Sequence, residues 1–182
     1  MKTLAKALRK LILASFFKNR SEVEILESMA TLSHIDEQGL PSMVDVSAKE
    51  VTVRTAIAEG TVQFPPAIFD QLTNQHFLTK KGAVLQTAII AGVMAAKKTA
   101  DLIPLCHPLA LSTCKVKIVP AENASLKITC LVRCEGKTGV EMEAFTGVSG
   151  AALCIYDMCK ALTHDIQITN IRLLEKTGGK SD

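Results

Sequence analysis

The chain has 182 residues, 48% of them hydrophobic, with six phenylalanines, one tyrosine and no tryptophan. That length suggests one domain with an aliphatic core, and no apolar run reaches the 18 residues of a membrane-spanning helix. The net charge of +3 is concentrated in the first twenty residues, which carry six basic groups and no acid; the body is left with 15 basic against 18 acidic residues. Such a body argues against a general nucleic-acid binder, so an anionic ligand has to be met by a local cluster of cations.

The basic leader covers residues 1 to about 28, with Leu4, Leu8, Leu11, Ile12 and Phe16 at helical spacing. It has no acid before Glu22, like a mitochondrial presequence, yet is poor in serine and arginine. A secretory signal fits worse, because its apolar stretch is short and Lys18 and Arg20 follow. Met29 offers a second start. We read residues 1–41 as a non-catalytic extension whose end, around Gln38-Gly-Leu-Pro41, is a flexible link. The expected location is the cytoplasm, with mitochondrial import if the leader serves as a presequence.

Val51 to Phe64 reads as extended or mixed, and Pro65-Pro66 can start a helix from Ala67 to Gln75. A second helix is expected from about Gly82 to Ala100. Its apolar or small residues run round the whole circumference, which predicts burial on more than one side and a subunit interface. Lys115–Val119 and Leu126–Cys134 alternate apolar with polar residues, apart from Leu131, and Ala121–Ser125 is a turn; together they predict an antiparallel hairpin. A third helix is expected from about Met142 to Leu162, then a strand from Ile166 to Leu174. This order predicts an α+β domain, an antiparallel sheet with helices packed on one face.

The third helix divides into arcs. Phe145, Val148, Ala152, Ile155, Cys159 and Leu162 form a core face. Gly147, Gly150, Ala151, Cys154 and Ala161 form a small-residue face that lets another element approach closely. Asp157 and Lys160 lie on a third arc, three residues apart, where they can pair. Read alone, they are a surface ion pair worth about 0.2–0.5 kcal/mol. The six cysteines form no Cys-x-x-Cys pair, and no histidines have zinc-ligand spacing, so five of them read as small buried hydrophobes in a reducing compartment. The exception is Cys106, held with His107 between Pro104 and Pro108 on a stiff, non-helical loop. A zinc hydrolase using Cys106 and His107, or a nucleotide-binding module without chemistry, are the other functional classes to weigh.

Four stretches stand out: Met43-Val-Asp-Val-Ser-Ala-Lys49, Leu102-Ile-Pro-Leu-Cys-His-Pro-Leu109, Lys137-Thr-Gly-Val-Glu-Met-Glu-Ala144 and Tyr156-Asp-Met-Cys-Lys160. In order and spacing they resemble the cyclic pyranopterin monophosphate synthase family of molybdenum cofactor biosynthesis, from about Ser42 to Lys180. The resemblance implies a ferredoxin-like fold assembled as a homohexamer. It also implies a lyase that turns 3′,8-cyclo-7,8-dihydroguanosine 5′-triphosphate into cyclic pyranopterin monophosphate and pyrophosphate. Asp157, Lys160 and Lys81 would be catalytic. Leu105, Cys106, His107, Glu141 and Met142 would contact substrate, and Arg54, His107, Lys176, Lys49 and Lys97 would hold phosphates. No resident metal or cofactor is expected beyond Mg²⁺ travelling with the triphosphate, and the partners are a nucleotide-derived small molecule and further copies of the chain.

Read without the resemblance, Arg54 is a surface charge and Lys81 a solvated lysine before a helix. Lys97 is a cation suited to a helix C-terminus, and Glu141 and Glu143 are an acid pair at a helix N-terminus. The segment Lys176 to Lys180 is not a phosphate-cradling Walker loop, since its strand–loop–helix context is missing. Three positions depart from the family pattern: Ala83 where Asp is usual, Ile89 where Arg is frequent, and Gly150 where a larger apolar residue is common.

Overall fold

The computed structural model describes residues 40–179. The leader, Met29 and Lys180 lie outside the described residues. The chain divides into Met1–Val44 and a compact unit Asp45–Asp182.

Strand β1, Thr52–Gln63, is one unbroken strand rather than a mixed segment. Its alternation is masked by small residues: Ala56, Ala58 and Val62 are fully buried on one side. Gly60 shares that side, where a Cβ would fall 2.7 Å from Val148 Cγ1. The strand is central and pairs on both edges, which is why a polar residue at position 59 is buried as well.

Helix α1, Pro66–Asn74, starts with proline in its first turn, where the missing N–H costs nothing. His76 and Phe77 then adopt positive φ. A two-residue hairpin follows, β2 (Leu78–Thr79) with β3 (Gly82–Ala83), and carries Lys81 at its tip. The second helix therefore begins later than the sequence predicts. Gly82 has φ +109, outside helical space, and α2 runs Val84–Lys97. The chain breaks at Lys98 before the single turn α3, Thr99–Leu102.

Strands β4 (Leu111–Ala121) and β5 (Ser125–Gly136) form the expected antiparallel hairpin, with Asn123 and Ala124 left-handed in the turn. Leu126, Ile128, Cys130, Val132 and Cys134 are fully buried on one face of β5. Helix α4 is Glu141–Cys159, and β6 is Gln167–Thr177. Because α4 ends at Cys159, Leu162 lies beyond the helix and is exposed, and Ala161 also falls outside. The remaining core arc holds, with Phe145 only half-buried.

The four long strands form one sheet in the order β4-β5-β1-β6, every neighbouring pair antiparallel. The helices pack on one face. The small-residue arc of α4 meets α2 as its composition predicts. A Cβ on Gly92 would fall 2.7 Å from Gly147 O and one on Gly150 would collide with Ala95, while one on Gly147 would fall 2.5 Å from Cys130 Sγ on β5 and 3.5 Å from Ala96 Cβ on α2. Gly150 is thus a fit to α2, not a defect. Only one stripe of α2 is buried in this chain: Val84, Ala88, Gly92 and Ala96. Ile90 and Met94, on its other side, are 61% and 55% exposed.

On the opposite face of the sheet, Glu59 accepts from Arg172 Nη2 at 2.7 Å and pairs with Lys127 Nζ at 2.5 Å. Three strands are thereby tied together across their register.

Candidate active site

Two clusters of charged side chains sit at the two ends of α4. At its C-terminal end, Asp157 lies between two ammonium groups. Lys160 Nζ is 2.8 Å from Asp157 Oδ1, and Lys81 Nζ is 2.7 Å from Oδ2. Lys81 also donates to the main-chain carbonyl of Asp157 at 2.8 Å, so it caps the last turn of the helix, where cations are favoured. The hairpin β2–β3 brings Lys81 there: α2 runs antiparallel to α4, so the start of α2 faces the end of α4.

All three side chains are about half-exposed. Lys160, and then Lys81, hold the Asp157 carboxyl down to about 2, and Asp157 in turn raises the Lys160 ammonium. The group is fully ionised near neutrality and carries a net positive charge. It can therefore attract an anion and keeps two ammonium protons beside a carboxylate acceptor.

The other cluster is assembled from five segments around the N-terminal end of α4. Arg54, at the start of β1, donates through Nε to Gly136 O at 3.3 Å and through Nη2 to Lys137 O at 3.5 Å. Lys176, near the end of β6, lies 3.7 Å from Glu141 Oε1. His107 is half-buried and shares an electrostatic neighbourhood with Asp45, as does Lys137. Leu105 and Cys106 are half-buried on the same loop, and burial pushes the Cys106 thiol up, away from nucleophilic thiolate. Met142 is partly exposed on the first turn of α4.

Glu143 is the residue the sequence analysis undervalued. It reads as one of two acids suited to a helix N-terminus, yet it is only 4% exposed. Burial raises its carboxyl, nearby Glu141 adds to the rise, and its own backbone N–H opposes them. Its charge is felt by Cys106 and Cys134, so it points inward between the Cys106 loop and β5. No local signal distinguishes it from Glu141; the difference is tertiary.

Lys97 ends α2 on this same side of the molecule, with its charge acting on Cys114. Lys49 is exposed beyond a turn at Asp45–Ser47, and its N–H donates to Val46 O at 3.0 Å. The structure thus joins Lys81, Asp157 and Lys160 at one end of α4 and joins Lys176 to Glu141 at the other, where Arg54 grips the preceding loop.

Among the described residues no group of three His, Cys, Asp or Glu side chains is placed to hold a metal ion, and no helix is long and apolar enough to cross a membrane. Of the cysteines, 130, 134 and 159 are buried, while 106, 114 and 154 are half-buried free thiols.

Residues 43–179 match the MoaC family. The chain belongs to that family. It is 53% identical over 153 residues to a protein of Xanthomonas campestris pv. campestris named cyclic pyranopterin monophosphate synthase, covering 84% of this chain and 93% of the relative. A Synechocystis protein named molybdenum cofactor biosynthesis bifunctional protein is 54% identical over 82% of this chain and 44% of its own length. A Drosophila melanogaster protein named molybdenum cofactor biosynthesis protein 1 is 53% identical over 83% of this chain and 26% of its own length. In this MoaC-family chain the two clusters sit at opposite ends of a single helix.

Proposed function

We propose that this chain is a cyclic pyranopterin monophosphate synthase, a lyase of molybdenum cofactor biosynthesis. It would convert 3′,8-cyclo-7,8-dihydroguanosine 5′-triphosphate into cyclic pyranopterin monophosphate and pyrophosphate. The observation that carries this is the ionised Lys81–Asp157–Lys160 group at one end of α4 together with Arg54, Lys137, Lys176 and a buried carboxyl near the other end. The chemistry asks for the same two things. Protons must move while the purine-derived ring opens and re-forms as a pterin. Charge must be stabilised while an oxygen of the sugar-derived part closes a cyclic phosphate and displaces pyrophosphate.

In this reading Lys160 and Lys81 supply protons, and Asp157 orients them and favours their charged form. Arg54, His107, Lys176, Lys49 and Lys97 hold the phosphates. Leu105, Cys106 and Met142 line the site. Glu141 and Glu143 accept from the amino and ring N–H groups of the base, with Glu143 the stronger contact because it is desolvated. Mg²⁺ would arrive with the triphosphate. A nucleic-acid partner is not part of the reading.

The two clusters cannot serve one small substrate from a single copy. Asp157 lies sixteen residues after Glu141 on one helix, roughly 24 Å of rise at about 1.5 Å per residue. In this reading each active site lies between two copies, one giving the C-terminal end of its α4 and the other the N-terminal end. The exposed Ile90, Met94 and Leu153 on the helix layer support such an assembly, since they waste apolar surface in a lone chain. A homohexamer built from such pairs is our proposed state.

The order β-α-β-β-α-β of the main elements supports assignment to the ferredoxin-like group. We take residues 42–182 as the synthase domain, residues 1–41 as its extension, and the cytoplasm as its place of action. Incubation of purified protein with the cyclic nucleotide tests the function. Pterin and pyrophosphate should appear in equal amounts, and substrate left unchanged would overturn the reading.

A further inference from the structure

The turn at Asp45–Lys49 precedes β1 and is held from two directions. Within it, the Ser47 N–H donates to Asp45 Oδ1 at 2.8 Å, a side-chain turn that fixes the backbone two residues on. From across the molecule, Lys137 Nζ donates to Ser47 O at 2.5 Å, although ninety positions separate the two residues. The carbonyl of Lys137 is in turn one of the two that Arg54 grips. Asp45, Ser47, Lys137 and Arg54 thus form one connected chain of hydrogen bonds. It ties the segment before β1 to the loop between β5 and α4.

An anion at this place needs an explanation. Asp45 shares its surroundings with Lys137 and His107, on the side of the molecule where the phosphate-binding cations gather. A free carboxylate there would repel phosphate. Its Oδ1 is committed to the turn, however, and the Ser47 N–H is the main reason its carboxyl is held below the usual range. The carboxylate is therefore ionised, and its bond to the turn is charge-assisted.

We infer that Asp45 and Lys137 are positioning residues for the anionic end of the substrate: together they set the turn Asp45–Lys49 against the loop after β5. They thereby fix where Lys49 and Arg54 present their charges. Neither needs to touch substrate. This rests on the proposed synthase reading and adds two residues to it that the sequence analysis did not place in the site.

The test is steady-state kinetics on the full chain with the cyclic nucleotide. Asp45→Ala should raise KM about tenfold and change kcat less than threefold, since a displaced binding group costs affinity before it costs chemistry. Asp45→Asn keeps an acceptor without charge and should fall between wild type and Asp45→Ala. Lys137→Met should match Asp45→Ala, Lys137→Arg should recover most of the loss, and the two losses should not multiply in the double variant. A merely structural role would lower the melting temperature without that split or rescue. Should Asp45→Ala fail to fold, the Lys137 pair carries the same test. If wild-type protein makes no pterin, the synthase reading falls. If wild type turns over and Asp45→Ala and Lys137→Met keep its KM, or lose kcat alone, only this inference falls.

Discussion

The two ends of α4 manage charge in opposite ways. At the C-terminal end two half-exposed ammonium groups share one carboxylate across hydrogen-bond distances and hold the Asp157 carboxyl at about 2. At the N-terminal end a buried carboxyl is pushed upward by desolvation, with neighbouring Glu141 adding to the rise. The first end is defined by contacts and the second by burial. A group defined by contacts keeps its ionisation over a wide pH range, whereas one defined by burial is sensitive to pH. Any acid-side loss of activity in the range of common buffers should therefore originate at the N-terminal end.

The largest expected effect separates chemistry from stability at the contact-defined end. Lys160→Ala should cut turnover about a hundredfold or more, the scale of a lost proton-transfer group. Its melting should barely move, because a half-exposed side chain usually contributes within about ±0.5 kcal/mol. Asp157→Asn should behave alike. The sign for Asp157 follows from its depressed carboxyl: the stabilisation is present above the ordinary carboxylate value of about 3.9 and is lost only as pH falls through about 2. Melts of wild type and Asp157→Asn compared from pH 8 to pH 5 should keep a constant offset. Circular dichroism checks both variants, and normal turnover by a folded Lys160→Ala protein would return the pair to an ordinary surface salt bridge.

A smaller effect, of the opposite thermodynamic sign, is expected at the burial-defined end. Glu143→Gln should lower kcat/KM roughly tenfold to a hundredfold, the scale of a hydrogen bond to a charged group. It should also remove the acid limb from the pH profile. Because burial raises the carboxyl, wild-type folding loses stability as pH rises through the folded value. The glutamine variant escapes that loss, so it should melt above wild type at pH 7 and level with it near pH 4. A variant less stable at pH 7 would show that Glu143 is paired rather than stranded.

The smallest effect belongs to the sheet face away from both clusters. Lys127→Ala leaves Glu59 held by Arg172 and should cost no more than about 1 kcal/mol in urea unfolding, with turnover unchanged.

The same contrast governs what could be read from the sequence. Hairpin β4–β5 and helix α4 were legible because one face of each is buried and the other is not, so their periods survive in the residue order. Strand β1 was not. It is paired on both edges and packed with Ala56, Ala58 and Gly60, whose small side chains carry little alternation. The hairpin at residues 78–83 is too short to show a period, so Gly82 reads as the start of a helix and Lys81 as a loop residue before it.

Asp157 and Lys160 meet because three residues of helix separate them, a local fact. Lys81 reaches them across 76 positions, and only the family resemblance pointed to it. Glu143 looked equivalent to Glu141. What separates them is the packing of the Cys106 loop and Cys134, which no local pattern records.

The central claim is that both ends of α4 act in one active site, drawn from different copies. Subunit complementation tests it directly. Lys160→Ala and Glu143→Gln are purified separately, unfolded, mixed in equal amounts and refolded together. Each alone should keep no more than about a tenth of wild-type activity. In a pair of copies with shared sites, a mixed pair has one site carrying both substitutions and one carrying neither. Random mixing should therefore restore about a quarter of wild-type activity. Mixed assemblies that form, as seen by native mass spectrometry, yet regain no activity above the separate variants would contradict the account and confine each active site to a single chain.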